Sequence, residues 1–129
     1  RFEDRVSVNF DIDSHVMNCL LPPLILQPLV ENAVKHGILP KEEGGAITIG
    51  AHRENDFIRI SVHDNGIGMT SDQVLSLFSE KMKGTSRNGS GIALRNVKMR
   101  LTALYGAAHS LIVESKVGKG TTVSFVIPQ

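Results

Sequence analysis

Apolar and polar residues alternate over residues 5–12, with Val6, Val8, Phe10 and Ile12 set against Arg5, Ser7, Asn9 and Asp11. A period of two predicts a half-buried strand. Between Leu24 and His36 the period lengthens. Leu26, Leu29, Val30, Ala33 and Val34 fall on one helical stripe, and Gln27, Glu31 and Lys35 face away from it. Proline fits a helix in its first turn, so Pro28 places the start near Leu24, and Gly37 is expected to close the helix. A Pro/Gly/Glu-rich loop over 38–46 leads into two alternating runs, Ile47 to Arg53 and Phe57 to Val62. Their Asn55-Asp56 junction predicts a hairpin. Thr70 and Gln73 have the spacing of a capping box, opening a short helix through Phe78. Residues 79–90 hold few apolar groups and several Gly and Ser, which predicts a mobile loop. A second long helix is expected from Gly91, with Leu94, Val97, Leu101 and Leu104 on one face and Tyr105-Gly106 at its end. Ser110 to Ser115 and Thr121 to Ile127 read as two last strands around the turn 116–120.

The order β-α-β-β-α-α-β-β predicts an α/β (α+β) two-layer sandwich, a mixed β-sheet covered on one face by about three helices. The hairpins exclude an all-parallel sheet. Composition narrows the setting. A chain of 129 residues, 41% apolar and 21% charged, is expected to be one globular domain over 1–129. A net charge of +1 argues against a dominating nucleic-acid or membrane-surface field, so no nucleic-acid partner is expected. The single cysteine, Cys19, forms no internal disulfide and reads as a small buried apolar residue. No apolar run approaches membrane-spanning length. The chain begins at Arg1 without Met and reads as a fragment of a longer protein.

Candidate chemistry concentrates at three places. The first is His63-Asp64-Asn65-Gly66-Ile67-Gly68-Met69, where a strand stops at an acid followed by alternate glycines. A carboxylate there can meet a flat, hydrogen-bonding ligand, although Asp-Asn-Gly is also ordinary turn chemistry. The second is Gly89-Ser90-Gly91-Ile92-Ala93-Leu94, where a loop enters a helix. Its free N–H groups suit an anion, and Lys81, Lys83 and Arg87 stand within reach of a triphosphate. The third is the first helix, with Asn32 and His36 one turn apart on the edge of the stripe, and Glu31 and Lys35 similarly spaced. An Asn oxygen aimed at a cavity can be one ligand of Mg²⁺, with phosphates and water as the others. Dinucleotide and P-loop fingerprints fail: Leu94 stands where the former needs Gly or Ala, and no G-x-x-x-x-G-K-[ST] occurs. The five histidines show no zinc spacing, and no nucleophile triad is legible.

Together these stretches resemble a known family. Leu26-Gln27-Pro28-Leu29-Val30-Glu31-Asn32-Ala33-Val34-Lys35-His36-Gly37 is similar to the N box of histidine-kinase ATP-binding domains. Asp64 to Gly68 resembles their first glycine box, Gly89 to Leu94 their second, and Lys119 to Phe125 their closing Gly-Thr strand. The wording of the N box, and of Arg95-Asn96-Val97-Lys98-Met99-Arg100-Leu101, is similar to the LytS-type sensor kinases. The four motifs keep family order and span nearly the whole chain.

The resemblance implies the Bergerat ATP-binding fold and the cofactors ATP and Mg²⁺. It implies that Asp64 accepts the adenine amino group, with Thr121 assisting through hydroxyl and water, and that Gly66 and Gly68 make room for the base. Asn32 would hold Mg²⁺. Lys35, His36, Lys83, Gly89, Ser90, Gly91 and Leu94 would complete the nucleotide site, and Glu31 is a candidate participant in catalysis beside Asn32. Hydrolysing relatives carry a Glu where this chain has Pro28, which favours phosphoryl transfer over hydrolysis. Ala93 replaces a customary glycine. The implied partners are a helical dimerisation segment carrying the phosphoacceptor histidine, upstream in the same dimeric protein, and a response regulator. A cytoplasmic domain of a membrane-anchored bacterial sensor is implied, reaching the membrane only through upstream segments. The fragment is expected to bind ATP without completing the kinase reaction by itself. A stand-alone ATPase and a nucleotide-independent interaction module are the alternatives.

Overall fold

The computed structural model describes residues 6–14, 23–78 and 90–128. The expectations for Cys19, for the loop over 79–89 and for Lys81, Lys83, Arg87 and Gly89 lie outside these residues. Five strands form one sheet in the order β1-β2-β3-β5-β4: β1 (Val6–Ile12), β2 (Gly45–Glu54), β3 (Phe57–Asp64), β4 (Ile112–Lys116) and β5 (Gly120–Pro128). β1 runs parallel to β2, and every other pair is antiparallel. The sheet is mixed, as predicted. Ile47 and Ile49 on β2, Ile58, Ile60 and Val62 on β3, and Val123, Phe125 and Ile127 on β5 turn one face into the core. Ile25, Leu29 and Ala33 of α1 (Pro23–Asn32) and Leu94, Val97 and Leu101 of α3 (Ser90–Tyr105) close over it. The opposite face carries His52, Arg59, His63, Thr122 and Glu114 and is left to polar pairs, such as His63 Nδ1 with Thr122 Oγ1 at 2.7 Å.

Local signals hold where they act locally. Thr70 caps α2 (Ser71–Ser76): its Oγ1 accepts from the Gln73 N–H at 3.1 Å, and Gln73 Oε1 accepts from the Thr70 N–H at 2.8 Å. Asn55 turns the β2–β3 hairpin with φ 57°. Asn55→Ala is therefore expected to lower stability by about 1–2 kcal/mol in chemical denaturation, because alanine strains at that angle, while Asn55→Gly is tolerated.

Three expectations need correction. β1 is not half-buried: Val8, Phe10 and Ile12 are 46%, 68% and 39% exposed. They share the face of Ile47 and Ile49, but they stand on the sheet's edge. Pro28 is not in the first turn, because α1 starts at Pro23 and carries the proline inside it. Gly37 does not end the helix either. After Asn32 the chain widens into a π-helical turn, Ala33–Ile38, in which the Leu39 N–H bonds the Val34 carbonyl five residues back at 2.9 Å. The wider turn buries Ala33, Gly37 and Ile38 together, and the Gly37 carbonyl accepts from the Ile67 N–H at 3.0 Å. Inserted π turns of this kind frequently mark functional sites.

Candidate functional site

β3 ends at Asp64, which lies in the sheet between Ile47 of β2 and Thr121 of β5. Its side chain is on the helical face and only 3% exposed. The Gly66 N–H donates to Asp64 Oδ1 at 2.9 Å, and the Thr121 backbone N–H also bonds the carboxylate. Burial raises the Asp64 pKa from its ordinary value; those two bonds and the neighbouring His63 and Lys41 side chains pull it partly back. Close approach explains the glycines around it. A Cβ on Gly37 would lie 2.6 Å from Asp64 Oδ1. One on Gly66 would run into the Gly37 carbonyl, and one on Gly120 into the Asp64 carbonyl. Gly37 is thus small because of Asp64, and Gly66 because of Gly37. The space at Gly66 is filled by the Gly37 carbonyl and that at Gly68 by the Lys116 carbonyl, so neither glycine opens room for a ligand through its missing Cβ, although Gly68 also lines the pocket.

Among the described residues, Asp64 contributes the single carboxylate lining a pocket of about 430 Å³, part of it open to solvent. Leu29, Ala33, Val62, Met69, Leu94 and Val123 give it apolar walls, and Asn32, His36, Gly37, Gly68 and Thr121 complete it. Stretches far apart in sequence, α1 and its π turn, the end of β3, the start of β5 and α3, therefore converge on one cavity. Burial and the adjacent Lys35 charge lower the His36 pKa, so its ring is neutral at physiological pH.

Asn32 is the telling polar group. Its Oδ1 is buried and has no hydrogen-bond partner among the described residues. An orphaned buried oxygen costs about 1–3 kcal/mol, so a ligand that satisfies it gains that much back. A neutral hard oxygen at a pocket wall fits Mg²⁺, which needs few protein ligands when phosphates and water supply the rest. Among the described residues no group of three His, Cys, Asp or Glu side chains could hold a metal alone.

Of the residues singled out from sequence, Asn32, His36, Asp64, Gly68, Leu94 and Thr121 line this pocket. Ser90 and Gly91 open α3, one residue earlier than expected. Glu31 is not brought in: it is exposed and accepts from Gln27 Nε2 at 3.2 Å. Lys35 is exposed and also outside the lining. Three participants were not legible. Lys41 donates to the Asn65 carbonyl at 2.8 Å, Asn65 Oδ1 accepts from the Ala46 N–H at 2.8 Å, and Ser115 bonds Thr121. Lys41 and Asn65 act across 24 and 19 residues and Ser115 across the β4–β5 turn, six residues on, and none of these pairings has a signal in the residue type itself.

Comparison with known proteins agrees with the geometry. Residues 22–129 match the family model of histidine kinase-, DNA gyrase B- and HSP90-like ATPases. The sensor protein LytS of Staphylococcus haemolyticus is 41% identical over 128 residues, 99% of this chain and 21% of that protein. The sensor histidine kinase YesM of Bacillus subtilis is 37% identical, over 99% of this chain and 20% of that protein. The chain thus spans about a fifth of the length of these relatives. Among solved structures, full-length ShkA in complex with AMPPNP superimposes with a TM-score of 0.68 at 20% identity, covering 98% of this chain and 26% of that one. The histidine kinase domain of the Erythrobacter litoralis EL346 blue-light-activated kinase gives 0.63 at 20% identity, with 96% and 52% covered. These likenesses confirm the α+β fold. On its motifs, its fold and a family match over most of its length, the chain belongs to the histidine kinase-, DNA gyrase B- and HSP90-like ATPases.

Proposed function

We propose that this chain is the ATP-binding catalytic domain of a LytS-type sensor histidine kinase, donating the γ-phosphoryl group of ATP to a histidine on a helical dimerisation segment of the same protein. The observation that carries it is the buried Asp64 carboxylate beside Thr121 in an apolar-walled pocket, an arrangement suited to a flat base with an exocyclic amine. Asn32, with its unpartnered oxygen, would hold Mg²⁺, which neutralises phosphate charge during transfer. Ser90, Gly91 and the first turn of α3 would meet the phosphates, with Lys83 and Gly89 of the preceding loop. The neutral His36 would serve as a hydrogen-bonding wall of that end, not as the acceptor.

Transfer, not hydrolysis, is the reading supported by the acids present. Pro28 holds the position of the hydrolytic Glu, and among the described residues no Glu lines the pocket. The bond from the γ-phosphorus to the β–γ bridging oxygen breaks, a bond to an imidazole nitrogen forms, and ADP leaves. The phosphoryl group would pass on to an aspartate of a response regulator. The domain would work on the cytoplasmic side of a membrane-anchored sensor; among the described residues no helix is long and apolar enough to cross a membrane.

Calorimetric titration of the chain with ATP, with and without Mg²⁺, tests the nucleotide reading. Binding should be tighter with Mg²⁺, and Asn32→Ala should remove about 10-fold of the affinity in Mg²⁺ while changing little without it. A well-folded chain that binds no adenine nucleotide would defeat the proposal. Steady ATP turnover by the chain alone would move it to the stand-alone ATPases.

A further inference from the structure

The Ser115 hydroxyl on β4 makes three hydrogen bonds. It accepts from the Met69 backbone N–H at 2.8 Å, donates to the Gly120 carbonyl at 3.0 Å, and lies 2.7 Å from Thr121 Oγ1. A hydroxyl has one proton and two lone pairs. The Gly120 carbonyl can only accept, so the Ser115 proton goes there. The proton of the 2.7 Å contact must then come from Thr121. This allocation saturates Ser115, with one bond given and two received. Thr121, its proton directed away from the pocket, offers the pocket lone pairs alone. Its cross-strand neighbour on the same face is Asp64, whose ionised carboxylate also only accepts.

We infer that Ser115 is a positioning residue for base recognition: it locks the Thr121 hydroxyl as an acceptor beside Asp64 and so fixes how the pocket reads the base edge. The inference rests on the ATP reading above. The 6-amino group of adenine donates to Asp64. The neighbouring ring nitrogen N1 is itself an acceptor, so it cannot bond a Thr121 lone pair directly. A water donating one proton to Thr121 and the other to N1 joins them. Without Ser115, the Thr121 proton is free to swing into the pocket and compete with that water. The same hydroxyl also holds the Met69 wall, and loss of that purely structural support would weaken any nucleotide equally.

The test is a thermodynamic cycle between the protein and the base. Magnesium complexes of ATP and 1-deaza-ATP, in which N1 is replaced by CH, are titrated into the parent chain, Ser115→Ala and Ser115→Thr. Ser115→Ala should weaken ATP binding by about 5-fold, within the range of one hydrogen bond. It should change 1-deaza-ATP binding by less than about twofold, because the bridged atom is already gone. Ser115→Thr, which keeps the hydroxyl, should return ATP affinity to within about twofold of the parent. Should Ser115→Ala fail to fold, Ser115→Cys removes the strong hydroxyl at nearly the same volume and carries the same expectation. Equal penalties for both ligands, or none for ATP, overturn the inference and leave the nucleotide reading standing. A parent that binds no ATP overturns both.

Discussion

Asp64→Asn is expected to weaken ATP binding by roughly 5- to 150-fold, the equivalent of about 1–3 kcal/mol, while making the nucleotide-free chain more stable at neutral pH. The two effects share one cause. The variant keeps an oxygen that can accept from the Gly66 N–H, but its amide N–H₂ is a donor turned toward the adenine amine, itself a donor. Binding therefore loses an acceptor and meets a donor. Stability follows from proton linkage. Burial raises the Asp64 pKa in the fold above its unfolded value, so the folded chain holds that proton more tightly. The stabilising contribution of the group is fully present below the unfolded pKa and is lost as pH rises through the folded one. Asparagine has no such dependence. Denaturation of both proteins between about pH 4 and 8 should show the variant's advantage opening above the ordinary carboxylate range and levelling off once Asp64 is ionised. The parent's ATP affinity should fall on acidification through the same raised pKa, since the base needs the ionised form. A parent that gains stability over the variant with rising pH would mean that the Gly66 and Thr121 bonds outweigh burial.

Gly120→Ala is the second large effect, expected at roughly 2–6 kcal/mol of lost stability. Gly120 has φ 115°, and its new methyl would run into the Asp64 carbonyl at the join of β3 and β5. Strain and overlap add, and the sum is a large part of the 5–15 kcal/mol that holds a typical domain together. Gly118→Ala separates the two terms. Gly118 also has a positive φ, 79°, but nothing lies within 4 Å of an added Cβ. It should cost only about 1–2 kcal/mol. Denaturant midpoints of the two variants, compared at equal slope, check the difference. Equal midpoints would show that the β4–β5 turn can move away from Asp64.

How far the sequence reached depends on the distance over which each signal acts. The capping box at Thr70 and Gln73, the hairpin at Asn55 and the period of α3 are encoded within a few residues, and the structure has them where expected, except that Leu104 at the end of the α3 stripe is 55% exposed. The order of elements and the one-sided sheet followed from those periods. Asp64 stood out because a strand cannot end on an acid and two spaced glycines without local consequence. What failed was anything decided elsewhere in the fold. The alternation over Val6–Ile12 says which residues share a face, not whether a second layer reaches the edge strand. Gly37 looked like a helix stop, yet its small size answers to a carboxylate on β3, and no helix-local rule contains that information. Glu31 sits next to Asn32 in sequence but points to solvent, because neighbours on a helix diverge by about 100°. Ser115 was invisible until Thr121 and Met69 were placed beside it.

Leu29, Val62, Leu94 and Val123 belong to the pocket wall and to the hydrophobic core at once. A base seated against them acts as one more piece of the interior, and its binding free energy becomes folding free energy. At a hundredfold excess over its dissociation constant, such a ligand adds about 2.7 kcal/mol. Trimming any of the four side chains is then felt twice, in the melting temperature and in the affinity. Inside a cell, the supply of nucleotide would set how long the domain survives its proteases.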